Sequence, residues 1–416
     1  MKKFEIIKYY SRPEIQKAII EIAKNREVVG SSMDSTFLKR PDTLLYPKDI
    51  EERVKRGVVA FHCSVERWTQ PMQLSTELSP KELNTMRTGF DFIIDIDAKA
   101  KLEHAAIGAK VVYEFFKEMG IKPTLKFSGS RGFHIAISKE AFPEKVDFQE
   151  TSKRYPEIPQ TLAEYVRKMI KERLLDELIE MEGGVASLVN TVPSVSELSP
   201  YEFLEIEKDW GNRHLFRMPY SLHPKFWLVS LPLRFEDLKH FNRLQAKPER
   251  VKTDVKFLVN KEGEATELLL KSMEWKAKQP KEKEVIREFK GKKFTAPVSE
   301  EYFPPCIKLI LKGIPDGKKR SLFSLITFLK NMNWNPEDIE KRINEWNNEN
   351  SKPLSKRFIK TQLKWHTRQS RDLMPANCKS SMFYTSIGVC QPDRYCRKNP
   401  VNYVFKKMKV KNNSKD

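Results

Sequence analysis

The sequence predicts an α+β protein: a domain of mixed strands and helices followed by a smaller, mostly helical domain. Short apolar runs of strand length at 58–64, 90–97, 124–127, 133–137, 203–207 and 226–231 are interspersed with helical periodicities at 12–25, 102–119 and 159–182. In the last third, from Pro304 on, the spacing is helical, and four of the five cysteines, Cys306, Cys378, Cys390 and Cys396, gather there. No internal repeat is visible.

At 416 residues the chain is long enough for two or three domains, and a composition 39% hydrophobic and 11% aromatic fits folded cores. The net charge of +20 and pI of about 9.5 favour a polyanionic partner, nucleic acid ahead of a membrane surface. No apolar run approaches the roughly 20 residues that span a bilayer. Met1-Lys2-Lys3-Phe4-Glu5 opens an acid-containing helical pattern rather than a secretory signal. A cytoplasmic, nucleoid-associated protein with free thiols and no membrane partner is expected.

Taken in order, Ser11-Arg12-Pro13-Glu14 reads as a capping box, and Ile15, Ile19 and Ile22 give the helix one packed stripe. Residues 58–64 read as a buried strand. In Phe90-Asp91-Phe92-Ile93-Ile94-Asp95-Ile96-Asp97, strand alternation puts Asp91, Asp95 and Asp97 on one face and Phe92, Ile94 and Ile96 on the other. Helices over 102–119 and 159–182 close at Gly120 and Gly183-Gly184. Residues 246–300 are charged and poor in periodic apolar residues, with eight basic and three acidic residues between 276 and 293. They read as a connector with a basic surface. In the tail, Leu322, Leu325, Ile326 and Leu329 mark one helix. Asn335-Pro336-Glu337 caps another, whose stripe is Ile339, Ile343 and Trp346. The expected divisions are 1–245, 246–300 and 301–416.

The chemistry starts at Asp95 and Asp97. Adjacent carboxylates repel, and burying them unpaired is expensive. A hard divalent cation such as Mg²⁺ takes oxygen ligands and removes that cost; a solvated edge strand is the plain alternative. Ser128-Gly129-Ser130-Arg131-Gly132-Phe133-His134 adds two glycines for a tight turn, plus hydroxyl, guanidinium and imidazole donors: a phosphate cradle. Arg217 and His223 follow a third acidic strand. Acids that hold metal and bases that hold phosphate oxygens are the division of labour of phosphoryl transfer.

These residues carry a family resemblance. Asp95-x-Asp97, Ser128-Gly129-x-Arg131-Gly132-x-His134 and His214-Leu215-x-Arg217-x-Pro219-Tyr220-Ser221-Leu222-His223-Pro224 resemble the three motifs of the archaeo-eukaryotic primase catalytic subunit, over residues 26 to about 231. The resemblance implies that Asp95, Asp97 and a third acid bind two divalent ions, Mg²⁺ or Mn²⁺. The third position falls at Glu205, where the family usually has aspartate, with Glu207 a nearby substitute. It also implies that Ser128, Gly129, Arg131, His134 and Arg217 grip the incoming triphosphate, that His223 lies close to the sugar, and that Arg26 of Arg26-Glu27 reaches the triphosphate too. Only Cys63 precedes residue 306, so the zinc cluster often found in that subunit is expected to be missing.

The late cysteines are spaced C-x71-C-x11-C-x5-C, without paired knuckles. In an intracellular chain such a set reads as zinc or iron–sulfur ligation. Pro305-Cys306, Gly317-Lys318-Lys319-Arg320, Phe328-Leu329, Gly388-x-Cys390, Cys396 and Pro400-x-x-Tyr403 resemble the iron–sulfur domain of the primase large subunit, over 303–405, which implies a [4Fe–4S] cluster. Lys318, Lys319 and Arg320 are then the candidates for holding the initiating nucleotide and template. From Lys379 on there are nine basic and two acidic residues, which fits nucleic-acid contact.

The expected whole is a single-chain DNA primase. It would make short primers on a single-stranded DNA template from nucleoside triphosphates (NTPs or dNTPs), alongside the replication machinery. It would be a monomer, because both subunits are fused. A repair-type primase-polymerase and a non-catalytic nucleic-acid-binding protein are the alternatives. The four-cysteine tail argues against the first, and only Glu205 favours the second.

Overall fold

The computed structural model describes residues 2–75, 78–193, 195, 197–279, 294–368, 373–378 and 380–412. The chain divides into two compact units, Met1–Glu284 and Val285–Asp416.

The first unit opens with α1 (Lys3–Tyr10), α2 (Pro13–Ala23), β1 (Val28–Ser31), α3 (Pro47–Lys55), β2 (Ala60–Ser64), β3 (Glu66–Trp68), α4 (Pro80–Met86) and β4 (Arg87–Phe90). The centre follows: β5 (Phe92–Ala98), α5 (Leu102–Glu118), β6 (Thr124–Phe127) and β7 (Gly132–Ile137). Then come β8 (Lys145–Val146), β9 (Gln149–Glu150), α6 (Glu157–Glu182), α7 (Val185–Val189), β10 (Leu204–Ile206), β11 (Leu215–Arg217), β12 (Pro232–Leu233) and α8 (Thr266–Lys278). The larger sheet has the order β10–β5–β7–β6–β12 and is antiparallel throughout. A smaller antiparallel sheet has the order β1–β2–β11.

Phe92, Ile94 and Ile96 are fully buried, as the alternation requires. Helix α5 packs on β5 and β7 through Ala105, Ala109, Val112 and Phe116. It comes so close at Gly108 that a Cβ there would lie 2.9 Å from the Ile96 side chain. α6 ends where expected, because Gly183 takes the left-handed conformation (φ 75°) that terminates a helix without steric cost.

The second unit comprises α9 (Pro305–Leu311), α10 (Lys318–Asn331), α11 (Pro336–Asn348), α12 (Lys356–Arg368) and α13 (Pro400–Asn412). Its core joins Leu322, Leu325, Ile326, Leu329, Ile339, Ile343 and Trp346. Asn335 caps α11, its Oδ1 accepting the Asp338 amide at 2.8 Å. No helix among the described residues is long and apolar enough to cross a membrane.

Four expectations are corrected. Ser11 does not cap α2; its hydroxyl donates to the Ile7 carbonyl at the end of α1, and Arg12 stands at the cap. Residues 226–231 form no strand: an isolated Leu222–Val229 bridge closes a hairpin, because Trp227 takes a positive φ. The connector does not begin at 246. Ala246, Val251, Phe257, Leu268 and Leu269 are buried in the first unit's core, and α8 packs on α6. These apolar residues are too irregularly spaced to show a period, and the central stretch of the expected connector, 280–293, lies outside the described residues. Asp91 does not accompany Asp95 and Asp97. It precedes β5 and is fully buried, bound by the Arg26 and Arg67 guanidiniums and by the Lys139 amide.

Burial alone would raise the Asp91 pKa, and the two arginines more than offset it, holding the carboxylate below its ordinary range. Removing one partner of such a buried pair leaves an uncompensated charge, which costs roughly 3–5 kcal/mol. Asp91→Ala is therefore expected to lower the urea midpoint strongly, whereas removing the exposed Arg234–Asp254 pair is expected to change it little.

Candidate active site

Cross-strand partners place their side chains on one face of a sheet. β5 pairs with β10 so that Asp97 faces Glu205, and with β7 so that Asp95 faces His134 and Asp97 faces Gly132. β6 sets Lys126 opposite His134. The Glu207 amide donates to the Asp95 carbonyl at 3.0 Å, which extends the same register by one pair. One row across the sheet therefore reads Glu207, Asp95, His134, Lys126, and the next reads Glu205, Asp97, Gly132.

The second row explains a glycine. A Cβ at Gly132 would overlap the Ile96 carbonyl oxygen and Asp97 Oδ1, so no other residue lets the turn approach the acids this closely. At Gly129 (φ 93°) a Cβ would lie 3.4 Å from His223 Cβ, which sets the 128–132 turn against the hairpin carrying His223.

The smaller sheet supplies the other wall, where β11 places Arg217 opposite His62 of β2. The cleft so formed has a volume of about 580 Å³. Its lining includes Asp95, Asp97, Glu207, Ser128, Arg131 and His134, and from the other wall His62, His214, Arg217, His223 and Phe226.

Its electrostatics are strained in both signs. Asp95 is pushed up to about 8, first by burial and then by repulsion from Asp97 and Glu207. Its Oδ1 is buried without a hydrogen-bond partner, and His134 Nε2 stands 3.4 Å away. Asp97 accepts from Arg131 Nε at 3.0 Å. Burial lowers Lys126 to about 7 and Arg217 to about 10, with Asp95 pulling both upward. Burial and the neighbouring cations push His134 and His62 well below 6.5, and burial and Arg217 take His223 to about 4. His223 Nδ1 accepts the amides of Lys225 and Phe226 at 3.1 and 3.3 Å, so its proton sits on Nε2. His214 goes the other way: burial would lower it, but the Glu207 carboxylate at 3.3 Å raises it.

Seven expected residues thus converge: Asp95, Asp97, Ser128, Arg131, His134, Arg217 and His223, with Gly129 in the turn between them. Two do not. Glu205 is exposed outside the lining, and Glu207 takes the place in the cleft. Arg26 is buried outside the lining, four of its five N–H donors engaged by Asp91 and by the carbonyls of Ile22, Ser64 and Val65. Sequence reasoning missed His62, Lys126, His214 and Phe226. His62 and Lys126 lie in apolar strand runs and carried no local signal, whereas His214 was inside a quoted motif without a role.

No group of three or more His, Cys, Asp or Glu side chains among the described residues is set to hold a single metal ion. The acids nevertheless fit a hard divalent cation: the donors are all oxygen, and the unpartnered, charge-crowded Asp95 Oδ1 would gain most from one.

In the second unit, burial raises the Cys306 thiol pKa to about 12, and Cys378, Cys396 and Cys390 add to the rise. All four cysteines therefore lie within electrostatic reach of one another. Lys318, Lys319 and Arg320 form the first turn of α10. Lys319 stands over the Phe358 ring at 5.1 Å, and Arg320 donates to Ser386 Oγ at 3.0 Å.

Residues 94–235 match the family model of the DNA primase small subunit. The matched stretch runs from β5 through β12 and carries nearly all of the cleft, which supports a primase-type nucleotidyltransferase domain. The chain is 29% identical over 114 residues to the uncharacterized protein MJECS07 of Methanocaldococcus jannaschii, a match covering 27% of this chain and 25% of that protein. Among solved structures it is similar to the polymerase domain of Mycobacterium tuberculosis ligase D in complex with DNA, at a TM-score of 0.36 and 12% identity, over 66% of this chain and 89% of that one.

A carboxylate whose folded pKa is raised costs stability once it ionises. The folded state is favoured fully below the unfolded value near 4, and that advantage is lost as pH rises towards 8. In metal-free protein, Asp95→Asn is expected to raise stability at pH 8. The gain should shrink steadily as pH falls from 8 towards 4, as followed by thermal melts across pH.

Proposed function

We propose that this protein is a DNA primase that joins nucleoside triphosphates on a single-stranded DNA template. The observation that carries the reading is the cleft within the primase-type segment, where acids of one sheet face the cations of another. Asp95, Asp97 and Glu207, with Glu205 at the rim, would hold Mg²⁺ or Mn²⁺. When bound, such ions lower the pKa of an attacking hydroxyl and stabilise developing charge on leaving oxygens.

The chain's own groups do the rest. Arg217 and Arg131 present guanidinium forks to phosphate oxygens. The neutral imidazoles of His134 and His223 donate hydrogen bonds without adding a cation that the acids would capture. The buried walls keep the dielectric low around these donors, so each is worth more than in water.

The second unit is proposed to hold a [4Fe–4S] cluster on Cys306, Cys378, Cys390 and Cys396, four thiols within electrostatic reach of one another. Its part in initiation is supported by charge. Three cations in the first turn of α10 oppose the helix dipole, so they are not there to stabilise the helix. α12 contains no acidic residue and exposes Arg357, Lys360, Lys364 and Arg368 beside Trp365, a pattern suited to a nucleic-acid backbone and base.

Replacing Asp95 and Asp97 together by alanine should abolish dinucleotide formation from NTPs on single-stranded DNA, by 10³-fold or more on the order of magnitude of lost electrostatic catalysis. A double variant that still primes overturns the assignment. Anaerobically purified protein should carry about four iron and four sulfide per chain, the content of the cluster type. Zinc without iron would refute the cluster.

A further inference from the structure

The hairpin after His223 holds an unused group. Phe226 lines the cleft with 54% of its surface exposed, its ring centroid 4.9 Å from that of His223. Of the two exposed phenylalanines resting on cleft histidines, Phe226 on His223 and Phe37 on His62, Phe226 itself belongs to the lining. An aromatic ring left half in water forfeits much of its burial energy, and this one is held there by a costly turn. Trp227 has φ 59°, a region that bulky residues rarely adopt and that persists only where the surroundings enforce it.

The enforcement is visible. The Trp227 amide donates to the His223 carbonyl at 3.0 Å, and the His223 amide to the Leu228 carbonyl at 2.8 Å. The Trp227 ring packs against the main core. With Trp227 turned inward, the preceding residue is left at the cleft. The same hairpin runs alongside Gly129 of the 128–132 turn, where an added Cβ would lie 3.4 Å from His223 Cβ, and the cleft lining holds Phe226 together with Ser128, Ser130 and Arg131 of that turn.

We propose that Phe226 is a stacking platform for the base of a nucleoside triphosphate whose phosphates lie against Arg131, Arg217 and the 128–132 turn. This rests on the primase reading of the cleft and adds a contact for the nucleoside half of the substrate. Stacking accepts any base, since each has a π-face, which suits template-directed choice.

The test separates the two halves of the ligand. ATP and inorganic tripolyphosphate are titrated calorimetrically into wild-type protein, Phe226→Ala and Phe226→Trp, with melting temperatures recorded for each. Phe226→Ala should bind ATP roughly 5- to 100-fold more weakly, as expected for one lost base–aromatic stack. Its tripolyphosphate affinity should stay unchanged, and Phe226→Trp should restore ATP binding. Unchanged ATP affinity, or equal weakening of both ligands, overturns the platform. Wild-type protein that binds tripolyphosphate as tightly as ATP overturns the platform but leaves the phosphate site. Wild-type protein that binds neither overturns the primase reading together with it.

Discussion

Three buried carboxylates, each clamped by arginine, set the geometry on which everything else depends. Asp91 is bound by Arg26 and Arg67, Glu66 by Arg87, and Glu27 by Arg40 and Arg213. All three acids are fully buried. The Arg87–Glu66 pair spans the β3–β4 ladder, whereas Arg26–Asp91 and Arg213–Glu27 join segments that make no ladder with one another. Arg26 ties the start of the smaller sheet to the entry of β5. Glu27 ties β1 to the residue before His214, whose amide donates to Glu66 Oε2 at 3.1 Å. The wall carrying His214 and Arg217 is thereby fixed against the wall carrying Asp95 and Asp97. Charged clamps cost desolvation that apolar contacts would not, but guanidinium forks specify angle as well as distance.

The same precision appears in the backbone at the meeting of β5 and β7. The overlap that a Cβ at Gly132 would make with Asp97 shows that the acids and the phosphate turn are not merely adjacent. There is no room for one added carbon atom between them. A turn of this kind brings amides, a guanidinium and a carboxylate pair within the length of one triphosphate, and it does so on strands rather than on a loose loop.

How much of this was legible in the sequence depended on range. Period-two alternation identified β5 and its buried face, and helix punctuation found α5, α6 and α11, because these signals are local. Asp95, Asp97, Arg131, His134 and Arg217 were found because chemistry clusters within motifs. What failed was long-range. Arg26-Glu27 looks like a ligand-binding pair, but both side chains are spent on clamps whose partners, Asp91, Arg40 and Arg213, lie up to 186 residues away. The register sets Glu205 beside Asp97 and Glu207 beside Asp95, so the two differ only in that Glu205 is exposed and Glu207 lines the cleft, which local sequence does not show. Lys126 reads as a surface lysine in a four-residue strand. Only the fold reveals that it is fully buried, donating to Ser230 Oγ at 2.8 Å.

The cleft's frustration is its most informative property. Burial raises Asp95 towards its neutral acid while lowering Lys126 and Arg217 towards theirs, so both signs are held in the less comfortable form. Simple proximity would cure this if the acids paired with the bases. The pairing is partial: Arg131 meets Asp97 and His214 meets Glu207, but His134 stands at 3.4 Å from Asp95 without a hydrogen bond, and Arg217 donates to the Leu222 carbonyl. A site that neutralised itself would be more stable and would have nothing left to offer a ligand. Here Asp95 awaits positive charge and Arg217 awaits negative charge, on the two walls of one cleft. A polyphosphate with its counter-cation is the simplest species that satisfies both at once. Because the walls are fixed by the arginine clamps, the polar groups need not reorganise when it arrives.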